Sequence, residues 1–136
     1  MEILAPESII LGKIIGIFLV FCAITLLIKR TEWMNIIRSI KDSPTVLYFA
    51  ILIEFVLGLI IVLIHPIWVW DWPVLITIFG WAMIFEATLC TLLPHKSVIK
   101  LLKFYIRPVF YNLTWISFLI IGLFLLTMSC DLINFL

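Results

Sequence analysis

Four apolar runs, each about as long as the hydrocarbon core of a bilayer is thick, occupy most of this 136-residue chain. They extend from about Ile9 to Ile28, Thr45 to Ile64, Pro73 to Leu93 and Val109 to Ser129. A spanning helix needs roughly 20 apolar residues, and each run supplies them. In lipid an open strand edge leaves backbone N–H and C=O groups unpaired, at several kcal/mol each, and the runs lack the two-residue alternation of a barrel strand. The expectation is therefore an all-α, polytopic membrane protein: a single four-helix transmembrane domain with no room for a separate soluble catalytic domain.

Composition agrees. Hydrophobic residues make up 65% of the chain and charged residues 12%, with a mean hydropathy of +1.32, whereas a soluble domain is about half apolar. The net charge of +1 says less than its distribution. Lys29, Arg30, Arg38 and Lys41 lie between spans one and two, and Lys96, Lys100, Lys103 and Arg107 between spans three and four. The connector between spans two and three and both tails have no Lys or Arg. The positive-inside rule makes the two basic connectors cytoplasmic and puts the termini and the 65–73 hairpin outside, which in a bacterium means a multi-pass protein of the inner membrane. Met1 to Ser8 carries Glu2 and Glu7 and no basic residue, so the first run reads as a retained span and not a cleaved signal.

Both basic connectors are expected to be short helices on the membrane surface. Trp33, Ile36, Ile37 and Ile40 recur at i, i+3, i+4 and i+7. Lys96, Lys100, Lys103 and Arg107 line one face of the second connector, opposite Val98, Ile99, Leu102, Tyr105 and Ile106. A basic amphipathic helix suits an anionic leaflet; docking a cytoplasmic partner is the alternative.

The halves of the chain resemble each other. Pro44 and Gly58 have the spacing of Pro108 and Gly122, and Leu59 and Leu123 follow the glycines. Repeat units of about 9–64 and 73–129 with two crossings each would be parallel copies about an axis along the membrane normal.

Two carboxylates fall inside spans. At 1.5 Å per residue, Glu54 lies ~13 Å and Glu86 ~10 Å from the cytoplasmic ends of spans two and three. Ala50, Glu54 and Gly58 form one i, i+4, i+8 row and Ala82, Glu86 and Cys90 another, and small residues let helices approach closely. Both acids should then face the bundle or a subunit interface, as a proton or cation relay or as a protonated pair that ties helices together. Lys13 should snorkel to the headgroups near the outer end of span one, or pair with Asp71 or Asp131. Gly12 and Gly16 form a small-xxx-small match suited to helix association. Cys22, Cys90 and Cys130 are widely spaced and read as packing residues.

The string His65-Pro66-Ile67-Trp68-Val69-Trp70-Asp71-Trp72-Pro73 is the most unusual in the chain. Its tryptophans fit an aromatic interfacial belt. His65 and Asp71 could hydrogen-bond to each other, titrate near neutral pH or hold a cation. The pattern His65-x-x-Trp68-x-x-Asp71-Trp72-x-x-Leu75-Ile76-Thr77-x-x-Gly80-Trp81 resembles that of small bacterial integral membrane proteins of four predicted helices with no assigned activity. The resemblance covers about 17 residues, implies the same architecture and makes the hairpin a candidate site. Four-helix multidrug transporters are similar in size, but their essential acid is in the first span, where this chain has none.

Catalysis is not expected. His65 and His95 fall on opposite sides of the membrane, and no Cys/His cluster has metal-ligand spacing, so no metal and no cofactor is implied. No phosphate-cradling loop occurs, and Ser8, Ser39, Ser97 and Ser129 read as helix-end or interface residues. Nucleic acid is not expected as a partner of basic faces that lie on lipid. Two functions remain: a structural, accessory or oligomerising membrane component, with the bilayer, a second copy or a larger complex as partner, and a small proton- or cation-coupled transporter using Glu54 and Glu86.

Overall fold

The computed structural model describes residues 6–134, with side chains through Asp131. Glu2 lies outside the described residues. Six helices follow in order: α1 (Pro6–Ile28), α2 (Arg30–Asp42), α3 (Pro44–Ile64), α4 (Val74–Leu92), α5 (His95–Tyr105) and α6 (Pro108–Asn134). The helices α1, α3, α4 and α6 are long and apolar enough to cross a membrane. They correspond to the four expected spans, with α6 reaching past Ser129.

Proline punctuates this layout. Pro6, Pro44 and Pro108 open α1, α3 and α6, and Pro73 and Pro94 stand immediately before α4 and α5. At a helix start the ring's fixed φ is already helical and its missing N–H is one that would have had no partner. Proline also forces the residue before it out of the helical region. Ser43, at φ −123° and ψ 93°, is extended and separates α2 from α3.

The spans pack as two pairs, α1 with α6 and α3 with α4. Each pair crosses at glycine. A Cβ on Gly122 would lie 3.0 Å from the Gly16 carbonyl oxygen, and one on Gly58 would lie 2.9 Å from the Gly80 carbonyl oxygen. Lipid tails are as apolar as leucine, so helix association in a bilayer rests on such close backbone contact. Gly16 and Gly80 are separated by 80 − 16 = 64 residues, as are Pro44 and Pro108 (108 − 44) and Gly58 and Gly122 (122 − 58).

Two cores hold the pairs. At the end carrying the 65–73 connector, the hairpin end, Ile15 and Leu19 of α1, Trp72, Ile76 of α4 and Leu125 of α6 are buried together, so this core joins both pairs. At the opposite, basic end, Leu47 and Ile51 of α3, Ala87 of α4 and Val98 of α5 form a second core with Ile40 of α2 and Leu102 of α5 against it. That core belongs to the α3–α4 pair and its flanking helices.

The α1–α6 pair is fastened at the basic end by a polar contact. The Tyr111 hydroxyl donates to the Leu26 carbonyl at 2.6 Å, and Arg30 sits 5.2 Å over the same ring. Leu26 is among the last residues of α1, whose carbonyls lack helical partners. Tyr111→Phe is expected to lower thermal stability by about 1 kcal/mol, read as a shift in the unfolding midpoint in mild detergent. An unchanged midpoint would show that this carbonyl is as well served by water.

The connectors behave as amphipathic helices. In α2, Trp33, Ile37 and Ile40 are half-buried while Ile36 is exposed; in α5, Val98 is buried, Lys96, Lys100 and Lys103 are exposed, and Tyr105 is exposed as well. Among the described residues the one ion pair is Lys29 with Glu32, at 3.1 Å on the surface of α2.

Candidate functional site

Each span turns one seam inward, and the seam advances by alternating steps of four and three residues. On α3 it is Leu47, Ile51, Glu54, Gly58 and Ile61, continued by His65; on α4 it is Ile76, Gly80, Met83, Ala87 and Cys90, preceded by Trp72, and Glu86 stands beside it. The i, i+4, i+8 rows read from the sequence drift from this seam by about 40° per step, because four residues turn a helix through about 400°. Ala50 and Ala82 are accordingly exposed, whereas Gly58 stays in the interface.

The two acids lie at one level of the α3–α4 pair. Gly58 packs on Gly80, Met83 and Ile84, and Gly80 on Ile61 and Val62. That antiparallel register, with residue numbers summing to about 140, sets Glu54 opposite Glu86. Glu54 is half-buried and Glu86 is exposed. In the single chain no buried core bridges the two helix pairs at this level among the described residues. The Tyr105 phenol, at the end of α5, lies in the field of Glu86, which with burial and then Cys90 and Glu54 holds its ionisation above the ordinary phenol range.

At the hairpin end the polar residues are arranged differently from the sequence expectation. His65 does not bond to Asp71. Its side chain is fully buried, with Nε2 2.8 Å from Ser8 Oγ of α1 and Nδ1 3.1 Å from Thr77 Oγ1 of α4. The Thr77 hydroxyl proton is directed at the His65 and Ile67 carbonyls, at 3.0 and 2.9 Å. Thr77 Oγ1 therefore accepts from His65 Nδ1–H, leaving Nε2 to accept from the Ser8 hydroxyl. The cause is the backbone: α3 ends at Ile64, so His65 caps the helix on its buried side, while Asp71 points out and accepts from the Trp72 N–H at 2.7 Å.

Burial also divides the hairpin tryptophans. Trp68 and Trp70 are exposed, but Trp72 is only 7% exposed and lies with Ser129 over Gly12. Gly12 is thus used for close approach, and Lys13 beside it is half-buried. No ion pair joins Lys13 to Asp71 or Asp131 among the described residues.

Sequence reasoning missed the grouping of Ser8, His65 and Thr77. They stand in the order in which hydrolytic enzymes set nucleophile, base and orienting group. All three are fully buried, however, so no substrate atom reaches Ser8 in this conformation and the grouping ties α1 to the hairpin. The signal available was the spacing of His65 and Thr77 around a short connector, but nothing in the sequence indicated that Ser8 would meet them.

His95 is far from His65, at the start of α5, and its Nδ1 is buried without a hydrogen bond among the described residues. Among the described residues no three His, Cys, Asp or Glu side chains are placed to hold a metal ion. Cys22, Cys90 and Cys130 are all free thiols. Family models, curated proteins and solved structures alike return no match to this chain.

Proposed function

We propose that the chain is an oligomerising or accessory component of a bacterial inner membrane, oriented with the hairpin end outside the cytoplasm and completed at the basic half of its bundle by another helix. The observation that carries this reading is Glu86: it stands beside the buried face of α4, level with Glu54 of α3, yet it is exposed in the single chain. An acid at bilayer depth facing lipid costs several kcal/mol, so a covering surface that supplies a hydrogen bond or a counter-charge is favoured. The orientation rests on the two basic connectors, and the four-helix bacterial proteins whose hairpin pattern this one resembles supply the compartment.

A second reading is a proton- or cation-coupled pathway, favoured by the placement of the two carboxylates opposite each other. Glu54→Gln and Glu86→Gln, made separately, test both readings through assembly size in nanodiscs and ion flux in vesicles. Accessory function predicts a wild-type assembly larger than a monomer, no flux, and an association constant about tenfold weaker in Glu86→Gln, about 1.4 kcal/mol. A monomeric wild type whose flux disappears in both variants would replace the first reading with the second.

A further inference from the structure

We infer that the Ser8–His65–Thr77 grouping is a proton-sensitive joint, through which acidification of the solution facing the hairpin releases α1 from the α3–α4 pair. This goes beyond the reading of the acid pair and does not depend on it.

The geometry places the joint where it controls the arrangement of the pairs. The hairpin-end core is the one that includes residues of α1, α4 and α6, and at the same end the Ser8–His65 hydrogen bond is, among the described residues, the polar side-chain contact between α1 and the connector. His65 serves this contact only in its neutral form. Thr77, whose proton is directed to two carbonyls, takes the Nδ1 proton, so the Nε2 lone pair is what Ser8 bonds to. A second proton on the ring puts a donor where an acceptor was. The Ser8 hydroxyl must then turn its own proton elsewhere, and a cation is left in a fully buried position.

Among the described residues the charged groups around this end are few. On α1 they are Glu7, exposed, and Lys13, half-buried; the connector has Asp71, exposed; the outer half of α4 has none and presents the Thr77 hydroxyl; α6 has Asp131, exposed. Burial is the largest influence on the imidazole and disfavours its protonation, while the hydrogen bond to the His65 backbone and the charge of Glu7 favour the protonated ring. Burial outweighs both, and His65 is held below its ordinary value of 6.5.

The sign follows. A histidine whose folded-state pKa is depressed binds more protons in the released state than in the joined state. The joint is therefore at full strength above about pH 6.5 and weakens as pH falls from there to the folded-state value. Each pH unit inside that window favours release by up to tenfold.

The test uses paired spin labels at Ile10→Cys on α1 and Leu75→Cys on α4, both exposed positions. The labels are placed in the full chain, in nanodiscs, with Cys22, Cys90 and Cys130 replaced by alanine. On going from about pH 8 to about pH 5 the distance distribution is expected to broaden toward longer separations, with a midpoint below 6.5. His65→Gln is expected to remove that response. Should His65→Gln fail to fold, Ser8→Ala is expected to give at pH 8 the separation that the parent shows only in acid, with no further change on acidification. A parent distribution that is invariant over this range overturns the proposal, as does a His65→Gln or Ser8→Ala protein that responds as the parent does. Glu86→Gln, which tests the acid-pair reading, is expected to leave the response intact.

Discussion

Replacing Gly122 with leucine is expected to destabilise the bundle by about 3 kcal/mol, at the upper end of the range for overpacked positions. A Cβ there would lie 2.8 Å from Val20 Cγ2 and 3.0 Å from both the Val20 nitrogen and the Gly16 carbonyl oxygen. Two of those three atoms are backbone, so a rotamer change cannot relieve the contact and α1 and α6 must separate along their length. The measurement is the unfolding midpoint in mild detergent, set against Leu123→Ala. Leu123, the next residue, is 49% exposed, so its truncation should change stability by less than about 0.5 kcal/mol. Equal effects at the two positions would mean that the close approach at Gly122 contributes nothing.

The second large effect is expected at Thr77. Thr77→Val keeps the shape of the side chain and removes one oxygen, but that oxygen meets the His65 ring and the carbonyls of His65 and Ile67. The His65 Nδ1–H, at least, is left buried without a partner, and an unsatisfied buried polar group costs about 1–3 kcal/mol. The loss should reach about 3 kcal/mol, and the hairpin amides should exchange faster with deuterium. Thr88→Val is the control. Its hydroxyl bonds back to the Ile84 carbonyl on an exposed face, and that carbonyl keeps its helical partner, so a change under about 0.5 kcal/mol is expected. If Thr77→Val were as mild, the hairpin would not be held by its side-chain hydrogen bonds.

The spans were legible in the sequence because their signal is one of length and polarity, and both are local. The same holds for the connectors, whose charged and apolar faces separate at the helical period. Pairing was harder to read. Gly12-x-x-x-Gly16 marked α1 as a packing helix but not α6 as its partner, since the glycine that receives it, Gly122, stands 106 residues later (122 − 16). The matching level of the two acids followed from counting along their helices, but their neighbours were assigned from an i+4 row that drifts off the contact seam. At the hairpin, an imidazole and a carboxylate close in sequence invited pairing. The end of α3 at Ile64 turned His65 inward, and its partners were supplied by α1 and α4.

The pairing of α1 with α6 also bears on the order of assembly. The α3–α4 hairpin can close as soon as it is made, whereas α1 leaves the ribosome roughly a hundred residues before the helix that covers its glycines. At about 5–20 residues per second that is a delay of about 5–20 s. During this interval the Gly16 face of a newly inserted helix has no mate. The Ser8–His65 contact needs only α1, the connector and α4, so it can form first and station α1 beside the hairpin until α6 arrives. On this view the joint acts earliest as a placeholder during biosynthesis, and a chain without it would leave α1 open to capture by other nascent membrane segments.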